Sequence, residues 1–218
     1  CAADSVAGLF GYVAGGTEDS PVLIERLGVE NTRIAGCSVV GGLAAVVDSN
    51  SYVSVNNAYS AGTFAGVLTA AGSVEKGVVG GLFGEVKGDV SIENSHSSAA
   101  LKGVKFGGLV GTLSVDSLLH LKNAFSLTEY GAVNGKDFEG AEIRDSVQFA
   151  NATVAKLLYE YNQYGANWRQ SSGSTHPTLS EKYGGDFWYP DTLHYPNGKV
   201  ERSWHKNAVE LDDGDDST

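Results

Sequence analysis

A glycine-rich phrase recurs four times along the chain: Ala7-Gly8-Leu9-Phe10-Gly11, Gly41-Gly42-Leu43-Ala44-Ala45, Gly80-Gly81-Leu82-Phe83-Gly84 and Gly107-Gly108-Leu109-Val110-Gly111. Each of the last three is answered downstream by a phrase of hydrophobic, Asn, small, ring and Ser character: Val55-Asn56-Asn57-Ala58-Tyr59-Ser60, Ile92-Glu93-Asn94-Ser95-His96-Ser97 and Leu121-Lys122-Asn123-Ala124-Phe125-Ser126. The first is answered weakly, by Val29-Glu30-Asn31-Thr32. Successive second glycines lie 34, 39 and 27 residues apart, whereas Gly42 to Asn57, Gly81 to Asn94 and Gly108 to Asn123 span 15, 13 and 15 residues. A tight inner spacing inside a loose outer one marks a repeat that stacks on its neighbours, because no single copy can bury its own apolar face. The length variation then belongs in rim loops, around Gly16–Leu23 and Gly66–Lys76.

Residue types decide what kind of repeat this is. From Val39 to Leu127 the apolar positions are mostly Val with Ile, Leu and Phe, in short runs bounded by glycine and without proline. Such runs read as short strands between bends; in helices each interior glycine would cost about 1 kcal/mol. The expected fold is therefore all-β, a parallel and right-handed β-solenoid over residues 1–131. Gly42, Gly81 and Gly108 are expected at one structural corner, where a tight turn with positive φ and closely spaced backbones exclude a side chain. Asn57, Asn94 and Asn123 are expected at a second corner as an amide ladder. Tyr59, His96 and Phe125 would form a stacked column beside it, with His96 standing in for a ring rather than serving as a catalytic or metal-binding group.

The combined pattern, Gly-Gly-Leu-hydrophobic-Gly followed by hydrophobic-x-Asn-x-ring-Ser-x-Gly, resembles the GLUG-motif repeats of bacterial surface proteins, including adhesin-like proteins. Gly80–Gly88 followed by Val90–Gly103 is the best copy; the second copy has Ala45 where the family has Gly, and the first lacks the ring. The resemblance covers about Ser5 to Gly131. It implies a β-solenoid in an extracellular or cell-surface setting and does not imply enzyme activity.

Charge bears on partners. The chain of 218 residues carries a net charge of −11, which excludes the basic stripe that nucleic acid requires. No run of 18 apolar residues is present, so no membrane insertion is expected within this chain. The absence of methionine leads to the expectation of a part of a longer polypeptide. Cys1 is open to three readings: a lipidated N-terminal cysteine, a fragment end, or a disulfide with Cys37. The two cysteines precede Gly8 and Gly42 by similar distances in adjacent repeats.

After Gly131 the pattern changes. Residues 132–180 read as a capping segment with one amphipathic helix, Val154, Leu157, Leu158 and Tyr161 on its inner face, Asn151 or Thr153 as N-cap and Gly165 as its stop. Trp168-Arg169-Gln170 and Pro177-Thr178-Leu179 resemble a closing phrase that follows such repeats. Residues 181–218 form an aromatic tail with a hairpin signal at Asn197-Gly198 and a disordered acidic end at Asp212–Asp216. Trp168, Trp188, Tyr189 and Trp204 are a candidate carbohydrate platform, set against plain packing of the tail.

The acids of the repeats, Asp48, Glu75, Glu85, Asp89, Glu93, Asp116 and Glu129, fall in no recurrent column, and no nucleophile elbow, zinc-binding helix or phosphate loop is found. The leading expectation is a non-catalytic structural or adhesive module of a secreted or cell-surface bacterial protein, not an enzyme, with no metal or cofactor. Its expected partner is a glycan or a surface protein of a host or neighbouring cell. The alternative is a carbohydrate-binding or carbohydrate-cleaving β-helix; an ice-binding array comes third, since the repeats hold few Thr.

Overall fold

The computed structural model describes residues 4–68, 71–162, 168–179, 186–194 and 200–208. It is mostly β, with parallel sheets and a few helices, and divides into two compact units, Cys1–Val147 and Gln148–Thr218.

In the first unit each repeat gives one strand to each of three parallel sheets. The first sheet runs Val6–Ala7, Val39–Gly41, Val78–Gly80, Lys105–Gly107, and the second Phe10–Val13, Ala44–Val47, Phe83–Val86, Val110–Leu113. The third contains Val22–Ala35, Tyr52–Ala65, Asp89–Ser97, Leu119–Leu127 and Ala141–Arg144. Pairing is parallel throughout these sheets, and the repeat phrases lie level with one another: Val53 beside Val90 beside Leu119, and Phe83 between Ala44 and Val110. The stacking continues beyond Gly131. Gly131-Ala132-Val133 sits level with Gly108-Leu109-Val110, and Ala141–Arg144 pairs with Ala124–Leu127.

The alternation inherent in a strand turns one apolar set inward. Leu43, Leu82, Leu109, Phe83, Val55 and Ile92 are fully buried in the main core. A second cluster unites Cys37, Val40, Phe64, Val79, Ala99 and Leu101. It arises because the chain continues past Val29, Ser60 and Ser97 into a further paired row, Thr32–Ala35, Thr63–Ala65 and Ala100–Lys102. Both rim loops are excursions from this frame: Thr17 and Ser20 close a tight turn, and Val67–Leu68 folds back on Val74–Lys76 as an antiparallel ribbon.

The first repeat needs a different alignment from the one the motif suggests. Ile24, Glu25 and Leu27 lie level with Val55, Asn56 and Ala58, which puts Arg26, not Asn31, in the asparagine place. Arg26 adopts the same left-handed backbone, φ 52° against 51° for Asn57. Asn31 instead falls in an irregularity between Val29 and Thr32. Gly28 takes the place of the ring, and any side chain there would collide with Tyr59, whose ring occupies that space.

Within the second unit the helix spans Thr153–Tyr161 and buries Val154, Ala155, Leu158 and Tyr159. The expected inner face is thus corrected: Tyr161 is 43 % exposed, and Ala155 and Tyr159 take the inward side because the stripe is rotated relative to the apolar spacing. Ala152 is the N-cap residue, in left-handed conformation, and Asn151 Oδ1 accepts the Thr153 N–H at 3.1 Å. Trp168–Arg169 pairs with Thr178–Leu179, and Asp186–His194 with Val200–Ala208, both antiparallel. The hairpin signal Asn197-Gly198, the helix stop Gly165, the acidic end Asp212–Asp216 and Cys1 lie outside the described residues.

Leu109→Ala is expected to cost about 2–5 kcal/mol by leaving a cavity in the main core. Leu9→Ala, at the same place in the first repeat but 51 % exposed, should cost under about 1 kcal/mol. Urea unfolding of both variants measures the contrast.

Candidate functional site

The glycine corner is held by space, not by conformation. Gly42, Gly81 and Gly108 are not among the positive-φ residues, which corrects the expected reason for their presence. A β-carbon at Gly42 would meet the Gly81 carbonyl oxygen and lie 2.7 Å from Ser60 Cβ; one at Gly108 would meet the Gly131 carbonyl oxygen and Ser126 Cβ. This close approach lets backbone bonds run along the stack. The Gly42 N–H donates to the Gly81 carbonyl at 3.0 Å and the Gly108 N–H to that of Gly131 at 3.0 Å; Leu43, Leu82 and Leu109 donate likewise to Leu82, Leu109 and Ala132, each at 2.9 Å. Ser60, Ser97 and Ser126 form a buried column against these glycines. Ser60 Oγ is 2.6 Å from the Gly81 carbonyl oxygen and 2.9 Å from Ser97 Oγ, and Ser126 Oγ donates to the Gly131 carbonyl at 2.9 Å.

Positive φ belongs instead to the asparagines, at 51°, 47° and 50° for Asn57, Asn94 and Asn123. Asn is among the few non-glycine residues that tolerate this region. Asn123 Nδ2 donates to Asn94 Oδ1 at 3.0 Å, and Asn94 Nδ2 to Asn56 Oδ1 at 3.2 Å; Asn57 Nδ2 also reaches Asn56 Oδ1, at 3.1 Å. The ladder therefore passes through Asn56, a residue the motif does not single out. Beside it His96 is fully buried and stacked on Tyr59, with ring centroids 5.1 Å apart, and lies level with Phe125. Arg144 stands over Phe125 at 5.9 Å.

The expected aromatic platform does not survive as a set. Trp168 is fully buried and offers no face to a ligand; it belongs to the interior. Gln170, two residues on, is equally buried, and its Nε2 donates to the carbonyls of Phe149, Ala150 and Ser174 at 2.9, 3.0 and 3.1 Å, so the Trp-x-Gln phrase serves local packing. Trp188 is half-buried and lies level with Lys206 on the hairpin, while Tyr189 lies level with His205 and Pro190 with Trp204. The side chains of Tyr189 and Trp204 lie outside the described residues.

The structure brings other residues together at the junction of the second and third sheets. Five residues separate Val47 from Val53 in the second repeat and Leu113 from Leu119 in the fourth, but only three separate Val86 from Val90 in the third. The short connection, Lys87-Gly88-Asp89, lies between two longer ones and opens a notch of about 490 Å³ lined by Ser49, Asn50, Ser51, Tyr52, Lys87, Gly88, Asp89, Ser114 and Asp116. A second depression of about 290 Å³ adjoins it; both share Tyr52 and Asp89, and the second adds Glu18, Pro21, Leu118 and His120.

This notch has a fixed frame. The Asp89 N–H donates to the Ser51 carbonyl at 2.8 Å, Lys87 N–H to Val47 at 3.0 Å and Ser114 N–H to Val86 at 2.9 Å. Asp89 Oδ1 accepts the Leu118 N–H at 2.8 Å, tying the fourth connection to the third. Gly88 is required at the floor, since a β-carbon there would lie 2.5 Å from the carbonyl oxygens of Asp48 and Ser51. Lys87 Nζ pairs with Glu85 at 3.2 Å. Among the described residues, the side chains of Asn50, Tyr52, Ser114 and Asp116 have no protein partner, so donors and acceptors remain available around a half-buried ring. Sequence reasoning treats Asp89 and Asp116 as scattered acids; the available signal was the inner spacing of 13 where its neighbours have 15. Among the described residues no cluster of His, Cys, Asp and Glu is arranged to hold a metal ion.

Comparison with known proteins finds no matching family model, no matching curated protein and no matching solved structure.

Asn94→Ala is expected to lose about 2 kcal/mol, of which about 1 reflects alanine's poorer tolerance of left-handed backbone compared with asparagine and about 1 the two ladder bonds, to Asn56 and from Asn123. Asn94→Gly should recover the conformational part and lose about 1 kcal/mol. Equal losses in chemical denaturation would assign the whole effect to the amide.

Proposed function

We propose that this chain is a non-catalytic structural or adhesive module of a secreted or cell-surface bacterial protein, built as a right-handed parallel β-solenoid of the GLUG-repeat type. The observation that carries this reading is the use made of the recurrent residues. Gly, Asn, ring and Ser recur because each stacks on its counterpart in the next repeat, and stacking makes a stiff body instead of a reaction centre. In the notch Asp89 is committed to a backbone N–H and so is spent on positioning.

The setting is supported by cysteine chemistry. Cys37 is fully buried and disulfide-bonded, and disulfides persist in oxidising, extracytoplasmic compartments. Among the described residues no helix is long and apolar enough to cross a membrane. The acidic surface suits a neutral or basic partner on another cell or in an extracellular matrix.

Incubation of the purified chain with pectins, glucans, chitin and peptidoglycan should release neither reducing ends nor unsaturated products; turnover lost on changing one carboxylate would move the carbohydrate-cleaving alternative to first place. Thermal unfolding with and without a thiol reductant is expected to show a clear drop in midpoint on reduction, equivalent to about 2–4 kcal/mol.

A further inference from the structure

We propose that the notch over Lys87-Gly88-Asp89, together with the depression beside it, is a binding site for a neutral oligosaccharide of at least two rings. The assignment rests on the reading of the chain as a non-catalytic surface module and gives that module a ligand. The notch has the size of a small-molecule site and is held by backbone bonds on both flanks, so its geometry is set before a ligand arrives. Preorganisation of this kind limits the ordering cost of binding.

The chemistry of the walls selects the class. Sugars present an apolar C–H face and a rim of hydroxyls that both donate and accept. Tyr52 supplies a half-buried ring at the divide between the two depressions, shared by both, where one sugar face stacks and the next ring follows along the groove. Asn50 donates and accepts, Ser114 does the same, and Asp116 accepts from a pair of hydroxyls; these side chains have no protein partner among the described residues. Lys87 adds donors on the floor. Asp89 and Asp116 in one depression and Glu18 in the next, on a chain of net charge −11, disfavour a uronic or sialic acid. The described residues offer no cation cluster that would make the site a metal-dependent lectin.

The test uses the full chain, isotope-labelled, titrated with maltotriose, cellotriose, xylotriose, mannotriose and N,N′,N″-triacetylchitotriose at millimolar concentrations, with sialyllactose and calcium chloride as contrasting probes. At least one neutral trisaccharide is expected to shift the amide resonances of residues 49–52, 87–89 and 114–118, with a Kd on the order of 1 mM. Tyr52→Ala should weaken that binding about fivefold, the stacking contribution of one ring, and Asp116→Asn by a similar factor, while the melting midpoint of the exposed Asp116 variant stays unchanged. Absence of shifts with every neutral sugar, shifts confined to the hairpin around Trp188, or shifts seen only with sialyllactose or calcium would each overturn the assignment. Release of products from a bound sugar would instead overturn the non-catalytic reading and leave the location of the site standing, so the two failures are told apart.

Discussion

The first unit depends on how closely neighbouring repeats approach at the glycine corner. The Gly42 and Gly108 N–H groups donate directly to carbonyls of the next repeat, and the serines Ser60, Ser97 and Ser126 fill the side of that contact. A β-carbon at Gly42, Gly81 or Gly108 would strike a carbonyl oxygen of the neighbouring layer. Once this spacing is set, three sheets fall into register together, Leu43, Leu82 and Leu109 stack in one interior, and the N–H groups of Gly42, Leu43, Gly81, Leu82, Gly108 and Leu109 find partners in the adjacent layer. The constraint is steric, and it acts between residues 23 to 39 positions apart.

Glycine and asparagine divide the corner work between them. Glycine allows close approach with ordinary backbone angles. Asparagine accepts the left-handed conformation and offers an amide that bonds along the stack, Asn123 to Asn94 to Asn56. Arg26 shows which of the two properties the first repeat keeps: it holds the same left-handed backbone without an amide. Leu9 in the same repeat, 51 % exposed where Leu43, Leu82 and Leu109 are fully buried, shows the other consequence of an edge layer, since among the described residues its apolar group has one neighbouring layer in place of two.

A stack of this regularity creates function where its period is broken. The interior columns leave little side-chain chemistry free, because their hydroxyls, amides and rings are consumed between layers. Removing two residues from a single connection, at Lys87-Gly88-Asp89, lowers one layer below its neighbours and collects Asn50, Tyr52, Ser114 and Asp116 around the gap. The rigid frame positions these groups and the irregular connection selects them, which is how binding residues on loops commonly relate to a repeat scaffold.

The amino-acid sequence by itself determined the features that arise from local sterics. Valine-rich runs between glycines can only be short strands, and the recurrence of Gly-Gly-Leu and of Asn-x-ring-Ser identifies which positions share a column, because a misfit at either would be repeated in every layer. Tertiary structure alone decided what depends on the relative placement of distant segments. Arg26 takes the asparagine place because strand pairing, not motif likeness, aligns the first repeat. Gly131-Ala132-Val133 joins the stack though it lacks the repeated glycine pair and the leucine. Phe64 and Leu101 build a second core because a fourth row pairs beyond the serines. Trp168, a candidate for a ligand platform as well as for plain packing, is buried, since exposure of an aromatic ring is a property of what packs over it. The notch belongs to the same class: a connection two residues short is visible in one repeat, but it becomes a cavity only when longer connections lie on both sides of it.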